Sequence, residues 1–249
     1  MSESRIEARL GLIVLGICLA AGLIVSSIFI GNALVGMKQQ RVIRVKGTAE
    51  ISVISDQATW RGEWIVRSAD LKEGYFAMES RRMLVNDMIK QYGFSQETKV
   101  LFQPVQMEVE KKLDERGNPT PAIEAYLLRQ SVEIQSREVN KIDQIARQSP
   151  ELIKHGLEFH SFPAQYTFTG LEKLKMDLLG RAVHNALQRA RTLAVNTNTT
   201  VGALVSASQG VFQITTANST EVSDAGSYDT STIEKSIKAV VSCEFTVSR

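Results

Sequence analysis

The sequence is poor in the residues that most often build metal and cofactor sites. Its 249 residues include 3 His, 2 Cys and 5 Pro, and aromatic residues make up 6%. His155 and His160 are five residues apart across a predicted change from helix to strand, so they do not share one helical face. No Cys or pair of carboxylates lies at metal-ligand spacing. The sequence therefore predicts no metal site and no bound cofactor.

The sequence also lacks the local motifs of nucleophilic catalysis and of phosphate binding. None of the Ser residues lies in a Gly-x-Ser-x-Gly elbow. No Gly-rich loop follows a predicted strand and opens a helix. Cys243 lies in an apolar strand without a neighbouring His or cation, so we expect a small core residue with an ordinary or raised pKa. We therefore predict that the protein is not an enzyme and has no catalytic residues.

Charge and cysteine content exclude two further features. The net charge is only +2, and the chain has no basic face with interleaved aromatic residues, so we predict no nucleic-acid partner. Cys18 lies in a long apolar stretch near the amino terminus, and Cys243 lies in the last predicted strand. Because these two environments are different, we predict no disulfide within one chain.

One long apolar stretch dominates the amino-terminal part of the sequence. Residues 10–37 contain no charged side chain. As a helix they would be roughly 42 Å long, which exceeds the ~30 Å hydrocarbon core of a bilayer. A cleavable signal would have a shorter apolar core of about 7 to 15 residues. The stretch therefore predicts an uncleaved transmembrane helix and a membrane-anchored protein, with a buried helix of a soluble domain as the alternative.

Basic residues follow this stretch closely. They are Lys38, Arg41, Arg44 and Lys46. A cluster of this kind favours contact with anionic lipid head groups, so Lys38, Arg41 and Arg44 are predicted membrane-interface residues. Only Arg5 and Arg9 precede the stretch, so the positive-inside rule alone would place the rest of the chain in the cytoplasm.

The sequence predicts four regions along the chain. They are a short amino-terminal tail (1–9), the transmembrane helix (10–37), a basic linker at the membrane exit (38–46) and one folded domain (47–249). A length of about 200 residues is ordinary for one domain.

Apolar periodicity in the domain changes several times between strand and helix. Period-two alternation from Arg41 to Val66 predicts a β-hairpin with Trp60 and Trp64 on one side. Asp70 and Glu73 predict the start of a helix that ends at Gly93. Two long strands, 98–113 and 122–136, are predicted to form a second hairpin that offers its edge to a neighbour.

The second half of the domain predicts more helix and more strand. Pro150 divides residues 138–155 into two short predicted helices. Thr169 and Glu172 begin a long helix with an apolar stripe that is rich in alanine. The stripe contains Leu171, Leu174, Leu178, Ala182, Ala186, Ala190 and Leu193. Strands follow on both sides of a polar loop over 218–231. The domain is therefore predicted to be α+β, with a mostly antiparallel sheet, two long helices and one or two short ones.

Three stretches together resemble the SIMPL-domain family of bacterial envelope proteins. The first, VIRVKGTAEISVISDQATW, matches the opening pattern of the family at Gly47, Glu50, Asp56 and Ala58, with Ser55 in place of a usual proline. The second is AYLLRQSVEIQSREVNKIDQI, which is similar to a middle strand and short helix. The third, LGRAVHNALQRARTLAVNTNTTVGALVSAS, matches at Ala182, Ala186, Arg189, Ala190, Leu193, Ala194 and Gly202. The resemblance covers nearly all of the chain from Val42 onward.

This resemblance implies an exported domain without established catalytic residues. It also implies assembly into a large, ring-like homo-oligomer and a link to envelope or oxidative stress. We therefore expect a single-pass inner-membrane protein whose domain lies in the periplasm and self-assembles, with membrane lipid and its own copies as partners. The alternative is a tethered binding module for a partner protein, a lipid or a cell-wall component.

Overall fold

The computed structural model describes residues 16–32, 41–219 and 223–248. Its elements follow in chain order. They are helix α1 (16–32), strands β1 (Val42–Ile54) and β2 (Gln57–Ser68), helix α2 (Leu71–Gln91), strands β3 (Lys99–Phe102), β4 (Gln106–Leu113) and β5 (Pro119–Ser136), helix α3 (Val139–Gln148), a 3-10 helix (Ser149–His155), strands β6 (Glu158–Ser161) and β7 (Gln165–Thr167), helix α4 (Leu171–Val195), and strands β8 (Thr200–Gln209), β9 (Gln213–Thr216), β10 (Ser227–Tyr228) and β11 (Glu234–Ser248).

These elements belong to two compact units. The first unit comprises Met1–Gly47, Val183–Gln209 and Val241–Arg249, and the second comprises Thr48–Ala182 and Gly210–Val240. Strands β1 and β11 and helix α4 contribute residues to both. The described residues form an α+β structure, and the two long helices α2 and α4 and the short helix α3 agree with the prediction.

The amino-terminal part of the prediction is corrected by the structure. Residues 16–32 of helix α1 lie within the described ranges. No helix in the described ranges is long and apolar enough to cross a membrane. That finding overturns the predicted transmembrane helix over 10–37 and the predicted single-pass localisation in the inner membrane. Residues 10–15 and 33–37 of the predicted span lie outside the described residues.

Two sheets carry the strands. In the first sheet the order is β3–β5–β2–β6, with β4 also paired to β5 and β7 also paired to β2. All of these pairs are antiparallel. In the second sheet the order is β1–β11–β9–β10, with β8 also paired to β11. Strands β8 and β9 are antiparallel to β11, and the short strand β10 is parallel to β9.

The predicted hairpin of β1 and β2 is wrong, because the two strands lie in different sheets. Strand β1 pairs with β11, whereas β2 pairs with β5 and β6. The chain turns between them at Ser55 and Asp56. The Ser55 N–H donates to Ile233 O at 2.8 Å, and the Asp56 N–H donates to Thr167 O at 3.1 Å. Distant segments therefore satisfy the backbone N–H groups of a corner that a hairpin turn would have closed locally.

The core of the second unit lies between the first sheet and helices α2 and α3. Trp60 and Trp64 of β2 are both fully buried and point to the same face, because side chains alternate along a strand. The other members of this core share full or nearly full burial, and include Met78, Val85, Leu128, Val132, Ile134, Ile142 and Ile145. The side of β2 that was predicted to carry Trp60 and Trp64 is thus the buried side.

Both ends of α2 are as predicted from its sequence. The Asp70 carboxylate accepts a hydrogen bond from the Glu73 N–H at 2.9 Å, which satisfies one of the free donors of the first turn. At the other end Gly93 has a φ of +56°, a conformation that glycine adopts without strain. The alanine stripe of α4 is also buried at Leu178, Ala182, Ala186, Ala190 and Ala194, whereas the predicted stripe residue Leu193 is exposed.

Candidate assembly surfaces

Of the three predicted membrane-interface residues, the structure describes Arg41 and Arg44. Lys38 lies outside the described residues. Arg44 Nε is 2.6 Å from Glu244 Oε1. The backbone oxygen of Arg41 accepts a hydrogen bond from the Val247 N–H at 2.9 Å. The Arg44 side chain is 76% exposed, so this ion pair adds at most about 1 kcal/mol. The carboxylate nevertheless neutralises the local charge of Arg44.

Several residues of the SIMPL resemblance make contacts that hold the fold together. In the second unit Glu50 accepts a hydrogen bond from the Ser236 hydroxyl at 2.5 Å. The Asp56 carboxylate accepts from both the N–H and the hydroxyl of Thr169, at 2.7 and 2.6 Å. In the first unit Arg189 Nη1 donates to the Lys46 backbone oxygen at 3.0 Å. These polar residues therefore join segments that are more than 100 positions apart, which is a structural role.

A buried ion pair lies where the sequence predicted a polar loop. Lys235 is 1% exposed, and its Nζ donates to Asp229 Oδ2 at 3.0 Å, to Asp229 O at 2.7 Å and to Thr232 O at 2.7 Å. These contacts use all three ammonium protons. The Asp229 carboxylate also accepts hydrogen bonds from the backbone and hydroxyl groups of Ser231 and Thr232. The Lys235 ammonium group and the Asp229 carboxylate therefore form these hydrogen bonds within residues 229–235.

Opposing effects set the protonation state of Asp229. Burial alone would raise the pKa of Asp229, but the hydrogen bonds from Ser231, Thr232 and Lys235 outweigh it and hold the pKa well below its ordinary value. The group is therefore a permanent anion near neutral pH. Sequence reasoning missed this cluster. An Asp followed two and three residues later by Ser and Thr is, however, typical of a side chain that closes its own turn.

A second polar cluster joins α3 to β7. The Tyr166 hydroxyl donates to Asp143 Oδ1 at 2.7 Å, and Arg147 Nε donates to Asp143 Oδ2 at 2.9 Å. Burial, together with the hydrogen bond to Asp143, raises the pKa of Tyr166 to about 12. Tyr166 is only 6% exposed and stays protonated at neutral pH. The arrangement positions α3 on the sheet.

The three His residues are not gathered into a metal site. His160 meets the ring of Phe162 edge-on, with ring centroids 4.4 Å apart, and His155 is at the end of the 3-10 helix. His184 lies on α4. Within residues 16–32, 41–219 and 223–248, no group of three or more His, Cys, Asp or Glu side chains could hold a metal ion.

A cavity of about 500 Å³ lies between the end of α2 and the 3-10 helix. Leu84, Met88 and Leu152 supply its apolar lining, and polar side chains surround them. On that polar side the Tyr92 hydroxyl donates to Gln148 Oε1 at 2.8 Å. The volume is within the range of small-molecule sites, which span about 300–1,000 Å³.

Strand β8 is the most unusual element of the first unit. All of its residues are exposed except Val201, and the exposed residues include apolar side chains. Leu204 is 48% exposed and Val205 is 46% exposed. In the described part of the chain, β8 has one strand partner, β11. One edge of β8 is therefore open, and both of its faces reach solvent.

The hairpin of β4 and β5 is a second exposed strand pair, in the second unit. Every residue of β4 is exposed, including the apolar side chains of Met107 and Val109. Asp114 accepts hydrogen bonds from the N–H groups of Arg116 and Asn118, which closes the turn as predicted. The predicted single strand over 98–113 is instead divided into β3 and β4, because residues 103–105 with Pro104 leave the ladder.

Comparison with known proteins gives one family. No curated protein matches the chain. Residues 43–245 match the family model described as "SIMPL: Protein of unknown function (DUF541)". The match begins in β1 and ends in β11, so it includes both compact units and more than half of the chain. The chain therefore belongs to the SIMPL family.

Proposed function

We propose that this protein is a non-catalytic structural protein that assembles with its own copies into a ring-like or scaffold homo-oligomer. The observation that carries the proposal is strand β8, whose apolar side chains Leu204 and Val205 are exposed while one of its edges is open. An exposed strand edge is a template for pairing with another chain. Exposed apolar side chains add a hydrophobic contribution when a second chain covers them.

The chemistry of the polar clusters supports a structural role. Asp229 and Lys235 satisfy each other, and Asp143 is held between Tyr166 and Arg147. A catalytic base or nucleophile needs a free position within hydrogen-bond reach of a substrate. These groups instead form their hydrogen bonds with neighbouring segments of the same unit, so they stabilise the fold.

The molar mass of the full chain tests the proposal. Size-exclusion chromatography with light scattering is expected to give a multiple of 27.6 kDa that grows with protein concentration. Negative-stain imaging of the same fraction is expected to show closed particles with rotational symmetry, because most homo-oligomers have a closed point group. A mass of 27.6 kDa at every concentration would reject self-assembly.

The cavity between α2 and the 3-10 helix favours a second candidate function, a binding module. In that case the chain would be monomeric and would hold one partner in a fixed ratio. The variant Leu84→Arg places a cation in the cavity lining and is expected to release that partner. The matched control Met83→Arg changes the neighbouring exposed residue outside the lining and is expected to retain it.

A further inference from the structure

The two exposed edge strands differ sharply in charge. Strand β4 reads QMEVEKKL and carries two Glu and two Lys residues among its eight. Strand β8 reads TVGALVSASQ and has no charged residue and no proline. Natural proteins protect open edges with charges, lysine above all, or with proline, because unprotected edges pair with other chains. Strand β4 is protected by charge and β8 is not, although β8 has extra residues between Val201 and Ser206, where its register with β11 shifts.

The ladder with β11 shows which backbone groups of β8 are at the open edge. The Gly210 N–H donates to Val240 O at 2.9 Å, and the register continues with Ser208 opposite Ser242 and Ala207 opposite Cys243. Hydrogen-bonded and non-hydrogen-bonded pairs alternate along an antiparallel ladder. The N–H and C=O groups of Ala207 and, likewise, of Gln209 therefore point away from β11.

The other side of β11 agrees with this alternation. The Val247 N–H donates to the backbone oxygen of Arg41, the residue before β1, so the odd-numbered residues of β11 direct their backbone groups to the β1 side. Cys243 belongs to this set, and its partner on β8 is Ala207. Residues of β8 opposite that set consequently have their own donors and acceptors at the open edge.

We infer that β8 is one interface of the assembly, where it pairs antiparallel with the β8 of a second copy around a two-fold axis. This inference rests on the self-assembly proposed above and assigns its contact surface. The result is one sheet that continues through two molecules. Each copy supplies the same strand, as an isologous interface requires.

The composition of β8 fits a second copy of itself as the occupant. A strand that pairs with itself places like residues near one another, and like charges directly opposite each other are destabilising. Strand β8 has no charge to repel its copy. Its small side chains, which include Gly202, Ala203, Ser206, Ala207 and Ser208, leave room for a second strand and its side chains. Leu204 and Val205 supply the exposed apolar contact.

The variant Ala207→Pro tests this interface in the full chain. Proline removes the edge N–H at position 207 and leaves the hydrogen bonds to β11 in place, because proline is tolerated where the N–H faces away from the ladder. We expect the dissociation constant measured by light scattering to rise at least about tenfold, the effect of one lost hydrogen bond and a blocked strand. The control Ala207→Ser keeps the N–H and is expected to assemble like the wild type.

A second variant keeps the test decisive if the proline variant does not fold, as judged by circular dichroism. Val205→Lys adds a charge to the exposed strand and is expected to lower the assembled mass, whereas Val109→Lys on β4 is expected to leave the mass unchanged. A folded Ala207→Pro or Val205→Lys protein with the wild-type mass would overturn the inference and leave self-assembly through another surface, such as α1 or β4. A monomeric wild-type protein would instead reject the proposed function itself.

Discussion

Removing the carboxylate of Asp229 would leave Lys235 buried without its counter-charge. Breaking a buried ion pair from one side costs about 3–5 kcal/mol. Lys235 Nζ keeps two backbone acceptors, the oxygens of Asp229 and Thr232, so we expect Asp229→Ala to lie near the lower end, about 3 kcal/mol. This is a large part of the 5–15 kcal/mol that stabilises an ordinary domain.

Urea unfolding followed by circular dichroism measures this loss as a change in the free energy of unfolding. The control Asp224→Ala removes an exposed carboxylate from the same segment and is expected to stay within about 0.5 kcal/mol of the wild type. An Asp229→Ala protein as stable as this control would refute the argument that the ion pair anchors the segment.

The dependence of the free energy of unfolding on pH in acid is a second test of the same prediction. The pKa of Asp229 in the folded protein lies well below its ordinary value of 3.8. The stability that ionised Asp229 contributes is therefore fully present above about pH 4, and is lost as the pH falls from there towards the folded-state pKa. Asp229→Asn does not titrate, so its deficit relative to the wild type is expected to shrink in acid. A deficit that is constant with pH would contradict this.

Two further predictions concern the second unit. An added Cβ at Gly62 would lie 2.6 Å from Phe159 Cζ in the core. Gly62→Ala is therefore expected to lower the free energy of unfolding, measured by thermal unfolding, by about 1–3 kcal/mol. In the control Gly180→Ala the added Cβ meets no atom within 4 Å, and we expect the free energy of unfolding to rise by about 0.5–1 kcal/mol. A neutral Gly62→Ala variant would contradict the packing argument. Burial and the hydrogen bond to Asp143 raise the pKa of Tyr166 to about 12, so its contribution to stability is expected to fall as the pH rises from 10 to 12, a dependence that Tyr166→Phe removes. The tyrosinate absorbance of the wild type and the variant measures this titration, and a normal pKa would contradict it.

Local signals in the sequence were sufficient to predict where some elements begin and end. Asp70 and Gly93 predict the ends of α2, because a cap satisfies backbone groups only a few residues away. Pro150 likewise marks the change from α3 to the 3-10 helix, since proline lacks the N–H that a helix interior needs. Both features depend on neighbours along the chain.

Long-range pairing could not be predicted in the same way. Alternation over β1 and β2 indicates which side chains share a face and does not indicate which strand lies alongside. The corner between these strands is held by Ile233 and by Thr167 and Thr169, more than 100 residues away. The predicted hairpin was wrong for this reason.

The candidate assembly surface also depends on tertiary structure. Apolar residues in β8 are equally typical of a buried strand, and the sequence does not show that the strand lies at an open edge. The predicted edge was the β4–β5 hairpin, which is exposed but carries protecting charges. The pairing with β11 instead shows that β8 lies at an open edge of the second sheet.

Amide hydrogen exchange in β8 is the most direct test of strand pairing between two copies of the chain. The N–H groups of Ala207 and Gln209 point to the open edge, and residues 200–209 of the full chain can be followed at low and high protein concentration. We predict that these two amides exchange rapidly in dilute protein and become protected as the assembly forms. Rapid exchange at both positions in a fraction that light scattering shows to be assembled would contradict it.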